Sequence, residues 1–74
     1  MPKYQDIAAE LRRRLEDGEY PVGSQLPSLE QLSAAFGAVD IETVRQAEHL
    51  LKRDGLLDIV PSKGAFVRAT PRHR

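Results

Sequence analysis

Apolar and polar positions repeat along this chain with two different periods. From Tyr4 to Asp17, the residues Tyr4, Ile7, Ala8, Leu11 and Leu15 recur at spacings of three and four, which predicts a helix with one buried face. Glu10 with Arg14, and Arg12 with Glu16, stand four apart on its outer side as candidate ion pairs, and Gly18 supplies a stop. The next stretch, "EYPVGSQLP", holds Pro21, Gly23 and Pro27 and cannot continue the helix. Ser28 with Gln31 then forms a capping-box pattern for a second, short helix that carries Leu29, Leu32 and Phe36 inward and ends at Gly37. After the turn "GAV", Asp40 is placed to cap a third helix over 41–54, with Glu42 in its first turn and Gly55 as the residue after its end. Beyond Gly55 the period shortens. "LLDIV" and "AFVRA" are short runs rich in branched and aromatic residues, separated by the four-residue loop "PSKG", which predicts a β-hairpin.

The third helix carries the most information. At about 100° per residue, with Glu42 at zero, Arg45 falls near −60°, His49 near −20°, Arg53 near +20° and Gln46 near +40°. Val44, Ala47 and Leu51 gather on the opposite side, flanked by Ile41 and Leu50. One face is therefore expected in the core and the other presents a stripe of side chains able to hydrogen-bond to base edges or phosphates. The core expected from all elements is Ile7, Leu11, Leu15, Leu26, Leu32, Phe36, Val44, Leu51, Leu56 and Val67.

The order helix, helix, helix, hairpin, with a tight turn before the third helix, is that of a winged helix-turn-helix: mainly α with a two-stranded wing. In such an arrangement the N-terminal turns of the third helix enter a major groove, and Lys63 at the hairpin tip is placed to reach a neighbouring groove. Arg45 suits guanine O6 and N7 or a phosphate, Gln46 suits adenine, and Glu42 repels phosphates unless it accepts from a cytosine amino group.

Composition narrows the field without pointing to nucleic acid by itself. The chain has 74 residues, 41% of them hydrophobic, which suffices for one small core and leaves little room for an enzyme cleft. Formal net charge is zero. It is unevenly spread, because residues 59–74 hold Lys63, Arg68, Arg72 and Arg74 and no acid, leaving the remainder at −4. There is no cysteine, so packing alone must hold the fold, and neither a signal peptide nor an apolar run of membrane-spanning length is apparent. A cytoplasmic protein is expected.

Catalytic and metal readings find no support in spacing. His49 and His73 are the only histidines and neither has a ligand cluster around it. Ser24, Ser28, Ser33 and Ser62 each have a turn or cap role available, and the glycines are scattered rather than gathered in a phosphate loop. The expectation is a non-enzyme without cofactors.

The segments "YQDIAAELRRRLEDGEYPVGSQLPS", "LEQLSAAFG", "TVRQAEHLLKRDGLL" and "KGAFV" resemble, in order and spacing, the DNA-binding domain of the GntR family of bacterial transcriptional regulators. The resemblance covers nearly the whole chain. It implies a three-helix core with a β-wing over residues 1–70, a basic tail at 71–74, and binding to double-stranded operator DNA as a homodimer on a palindromic site, with repression as the outcome. It also implies that Thr43 and Arg45 touch phosphates and bases, with Gln46 beside them, that Ser28 opens the second helix against DNA, and that Ser62, Lys63 and Gly64 of wing 61–64 approach the minor groove.

The chain departs from the family pattern in three places. Ser28-Leu29-Glu30 stands where the family has Ser-Glu-Arg, and Asp40 or Ile41 replaces an arginine at the start of the third helix. One residue more than usual lies between Phe36-Gly37 and Thr43-Val44-Arg45. Two cationic contacts are thus missing and acids stand near the interface, which also leaves open a winged helix used for protein interaction or dimerisation, with weak or no DNA binding. The chain ends at "TPRHR", as either an excised domain or a stand-alone regulator.

Overall fold

The helical periods and their end signals fold as they read. In the computed structural model, which describes residues 3–71, α1 spans Tyr4–Glu16, α2 Leu29–Ala35 and α3 Ile41–Arg53. The hairpin strands β1 and β2 span Leu57–Val60 and Gly64–Val67.

Each helix end has a physical cause. Asp6 reaches back to accept the Lys3 N–H at 3.4 Å at the start of α1. At the other end Gly18 takes a left-handed φ of 79°, and its N–H and that of Glu19 donate to the carbonyls of Leu15 and Arg14. α2 begins with the expected reciprocal cap. Ser28 Oγ accepts the Gln31 N–H at 3.1 Å while Gln31 Oε1 accepts the Ser28 N–H at 3.0 Å. α3 departs from expectation here: Asp40 occupies the cap position, yet its side chain makes no capping hydrogen bond. The end N–H of Thr43 is instead taken by the Asp40 backbone carbonyl, which also accepts the first regular helical bond from Val44.

The turn before α3 accommodates its extra residue with two consecutive left-handed residues, Gly37 at φ 90° and Ala38 at φ 62°. Ser33 anchors this turn: its carbonyl accepts the N–H groups of Ala38 and Val39, and its hydroxyl donates to the Val39 carbonyl. Val39 is thereby held in the core.

α1 and α3 pack against each other through Ile7, Leu11, Leu15, Val44, Ala47 and Leu51, joined by Leu26, Leu32, Leu56 and Val67. Phe36 corrects the expected core list. It is only half-buried at the end of α2, with the Arg14 guanidinium 4.8 Å above its ring centroid, because an exposed helix end leaves one face open for a cation. Of the two ion pairs expected on α1, Arg14–Glu10 forms at 3.1 Å. Arg12 turns away from Glu16 and meets Asp54 at 2.5 Å, clasping α1 to the end of α3.

β1 and β2 pair antiparallel from Leu57↔Val67 to Val60↔Gly64. Gly64 belongs to the strand, so the connecting loop is Pro61-Ser62-Lys63, one residue shorter than the sequence suggests, with Ser62 at φ 62°. The connector between α1 and α2 adds an unforeseen rung. Gln25 bridges Phe66, and the N–H groups of Gly23 and Leu26 donate to the carbonyls of Val67 and Ala65. The wing is therefore stitched to the helical core along the outer edge of β2.

Candidate nucleic-acid interface

α3 presents its polar stripe along two different hollows. The first lies between the start of α2, α3 and the wing, and is lined by Ser28, Glu30, Arg45, Glu48, His49 and the wing tip from Pro61 to Gly64. The second lies on the opposite flank, between α3, Tyr4 of α1 and the strands, and is lined by the whole stripe from Glu42 to Arg53 with Asp58 and Arg68, so that Arg45 and His49 border both hollows. Helical geometry explains the division. Arg45 and His49 point to negative angles on the helical wheel, toward the wing, whereas Gln46 and Arg53 point to positive ones.

Of the residues expected to form one site, Ser28, Arg45, His49, Ser62, Lys63 and Gly64 thus line one cleft. Glu42 and Gln46 line only the second hollow, which Arg45 and His49 share. Thr43 is half-buried in the first turn of α3 and lines neither hollow.

Local chemistry sets how these groups are held. Arg45 Nη1 lies 3.4 Å from Glu42 Oε1, so the acid one turn earlier steadies the guanidinium without sequestering it; both side chains stay more than half exposed. At the wing tip Gln25 Nε2 donates to the Lys63 carbonyl at 2.6 Å. This holds the backbone of the loop while leaving the Lys63 ammonium exposed. Gly64 is required at its place: its φ is 123°, and a Cβ there would stand 2.8 Å from Gln25 Nε2.

Two members of the cleft were not foreseen. Gln25 sits in a stretch that reads only as a connector. Glu48 is 6% exposed, near −120° on the α3 wheel, between the polar stripe and the apolar face. Burial pushes its carboxyl up to about 7, against the partly offsetting charge of Arg45. None of the ion pairs among the described residues includes it. On the far side of α1, Arg13 and Arg14 hold the Glu10 carboxyl below its usual range, a surface matter remote from the cleft.

Among the described residues no group of three His, Cys, Asp or Glu side chains is placed to hold a metal, and no helix is long and apolar enough to cross a membrane. The basic tail expected at its end, Arg72 to Arg74 with His73, lies outside the described residues.

Comparison with known proteins agrees with the fold. The chain is 42% identical over 67 residues to the HTH-type transcriptional regulator YjiR of Escherichia coli, a match covering 90% of this chain and 14% of that protein. It superposes on the crystal structure of the transcriptional regulator YydK from Bacillus subtilis with a TM-score of 0.82 at 37% identity, over 99% of this chain and 32% of that one. The N-terminal domain of AraR, solved in complex with a mutant ORR3, matches with a TM-score of 0.81 at 31% identity, over 90% of this chain and 94% of that domain. The chain therefore spans about a seventh of YjiR and about a third of YydK. The family model for bacterial regulatory proteins of the gntR family matches residues 3–67, from the residue before α1 to the last residue of the wing, and the chain belongs to that family.

Proposed function

We propose that this chain is the sequence-specific DNA-binding domain of a transcriptional repressor, with the wing-facing flank of α3 in the major groove of operator DNA and the tip Ser62-Lys63-Gly64 against the adjacent minor groove. The observation that carries this reading is the common cleft: the α2 start, Arg45, His49 and Lys63 line one concave surface, and the Gln25 hydrogen bond pre-sets the wing beside it. Phosphates and guanine edges are the partners that suit such a set, because a guanidinium and an ammonium on one face bind anions and acceptors. Two copies on a palindrome, acting in the cytoplasm, complete the proposal.

Sequence reading is assigned to Arg45, oriented by Glu42, while Lys63 supplies charge that is indifferent to sequence. A second reading, a protein-interaction module, draws on the acids Glu30 and Glu48 in the same cleft. Selection of bound duplexes from a random DNA pool at low salt, with the 74-residue chain, separates the two. DNA binding predicts a recovered motif with two half-sites. Arg45→Ala then lowers affinity by on the order of 1–3 kcal/mol on the motif and by less on random DNA. Lys63→Ala weakens all duplexes alike and reduces the salt slope by about one. Absence of both a motif and salt-sensitive binding would favour the protein-interaction reading.

A further inference from the structure

Glu48 is the one buried charged residue among the described residues, and it lies in the wall of the cleft just assigned to DNA. Among the described residues no fully buried side-chain polar atom lacks a partner, and Glu48 makes no side-chain hydrogen bond, so its oxygens keep an edge in the cleft rather than being sealed in the core. The other ionisable groups on this cleft are Glu30 from α2, Arg45 and His49 from α3, and Lys63 from the wing. Of these, Arg45 is the one whose charge favours the ionised carboxyl.

We propose that Glu48 couples DNA binding to proton uptake from solvent, because the charge on its carboxylate opposes phosphates entering the cleft between α3 and the wing. The inference rests on the DNA-binding reading above. Two effects act in the same direction when a duplex docks. Phosphate charge disfavours a second anion in a cleft from which water is being displaced. Arg45, on pairing with a phosphate or base, also ceases to stabilise the Glu48 carboxylate. A carboxyl that titrates near neutrality in the free domain is poised for this, since a modest push changes its occupancy at ordinary pH. Glu30 is exposed to water, whereas Glu48, in the same cleft, is buried.

A further upward push of one pH unit makes binding about fivefold weaker at about pH 8 than at about pH 6, at fixed ionic strength. Imidazoles also gain charge over that range, so His49→Gln is the background in which the effect is read. The probe is a labelled duplex of mixed sequence at low salt. The His49→Gln chain is expected to bind more weakly at both pH values yet keep the fivefold dependence, and the chain that also carries Glu48→Gln to bind with equal affinity at both. Calorimetry of the unaltered chain, in buffers of different ionisation enthalpy, is expected to register proton uptake on binding and requires no variant to fold. DNA binding that is present but independent of pH in the His49→Gln chain would overturn the coupling alone, as would a double variant that keeps the dependence. Loss of salt-sensitive binding at every pH in the unaltered chain would overturn the DNA-binding reading itself, and the coupling with it.

Discussion

α3 makes two junctions, one with α1 and one with the wing, and they are built differently. Toward α1 it offers Val44, Ala47 and Leu51, each fully buried, and the contact is apolar throughout. At the surface this junction is finished by the Arg12–Asp54 ion pair. Toward the wing it offers Glu48, a buried carboxyl in a cleft that Leu26, Leu29, Ile59 and Ala65 also line. The buried contact of the first junction is stabilised by removing hydrocarbon from water and contains no ionisable group. The second carries a group whose charge conflicts with its burial, so its stability depends on whether a proton is present. One helix thus joins a part of the domain that only holds the fold to a part that can respond to its surroundings.

The apolar junction gives the largest expected effect. Leu51→Ala should destabilise the domain by on the order of 2–5 kcal/mol, read as a lower denaturant midpoint with an unchanged slope. A loss under about 1 kcal/mol would mean that the α1–α3 contact is not where the stability resides.

The wing junction comes next, and its sign depends on pH. The folded-state carboxyl of Glu48 is raised from 4.5 to about 7, so its favourable contribution is complete below about pH 4.5 and is lost as pH rises through about 7. Glu48→Gln should therefore match the parent near pH 4.5 and exceed it above pH 7.5 by on the order of 2–3 kcal/mol, compared by chemical denaturation across that range. Equal stability at both ends would show that the carboxyl is well solvated, and the contrast between the junctions would vanish.

Gly64→Ala tests the tie between the wing and the connector. It combines an unfavourable φ with the displacement of the Gln25 side chain, and should cost about 1–3 kcal/mol in thermal unfolding. Smallest is Arg12→Ala at the surface clasp. Both partners are about 40% exposed, so the expected loss is about 0.2–1 kcal/mol and shrinks in high salt.

Much of the fold was legible because local signals agree. The 3.6-residue period of α1 and α3, the Ser28–Gln31 cap and the Gly18 stop each act within a few residues, where sequence spacing is spatial spacing. What escaped reading depends on partners distant in the chain. Arg12 has two acids to choose from, and only the packing of α1 on α3 brings Asp54 closer than Glu16. The Gln25 rung comes from a Pro- and Gly-rich stretch whose pairing is decided by where β2 lies.

The site was read in outline. A helical wheel places Arg45, Gln46 and His49 on one stripe, and all three line the second hollow, but it does not say where the wing stands, and only Arg45 and His49 also reach the cleft under the wing tip. Glu48 escaped for a related reason. An acid on the flank of an amphipathic helix normally reaches water, and only the approach of the hairpin and the connector takes that water away.

The rung from Gln25 has a consequence for solubility. It occupies the outer edge of β2, so the sheet exposes a free row of backbone groups only along β1. That row is four residues long, carries the charged Asp58, itself 3.8 Å from Arg68, and runs directly into Pro61. Shortness, a charge and a proline are the features that discourage a strand from recruiting another chain's strand. The wing is in this way kept from templating aggregates of its own kind.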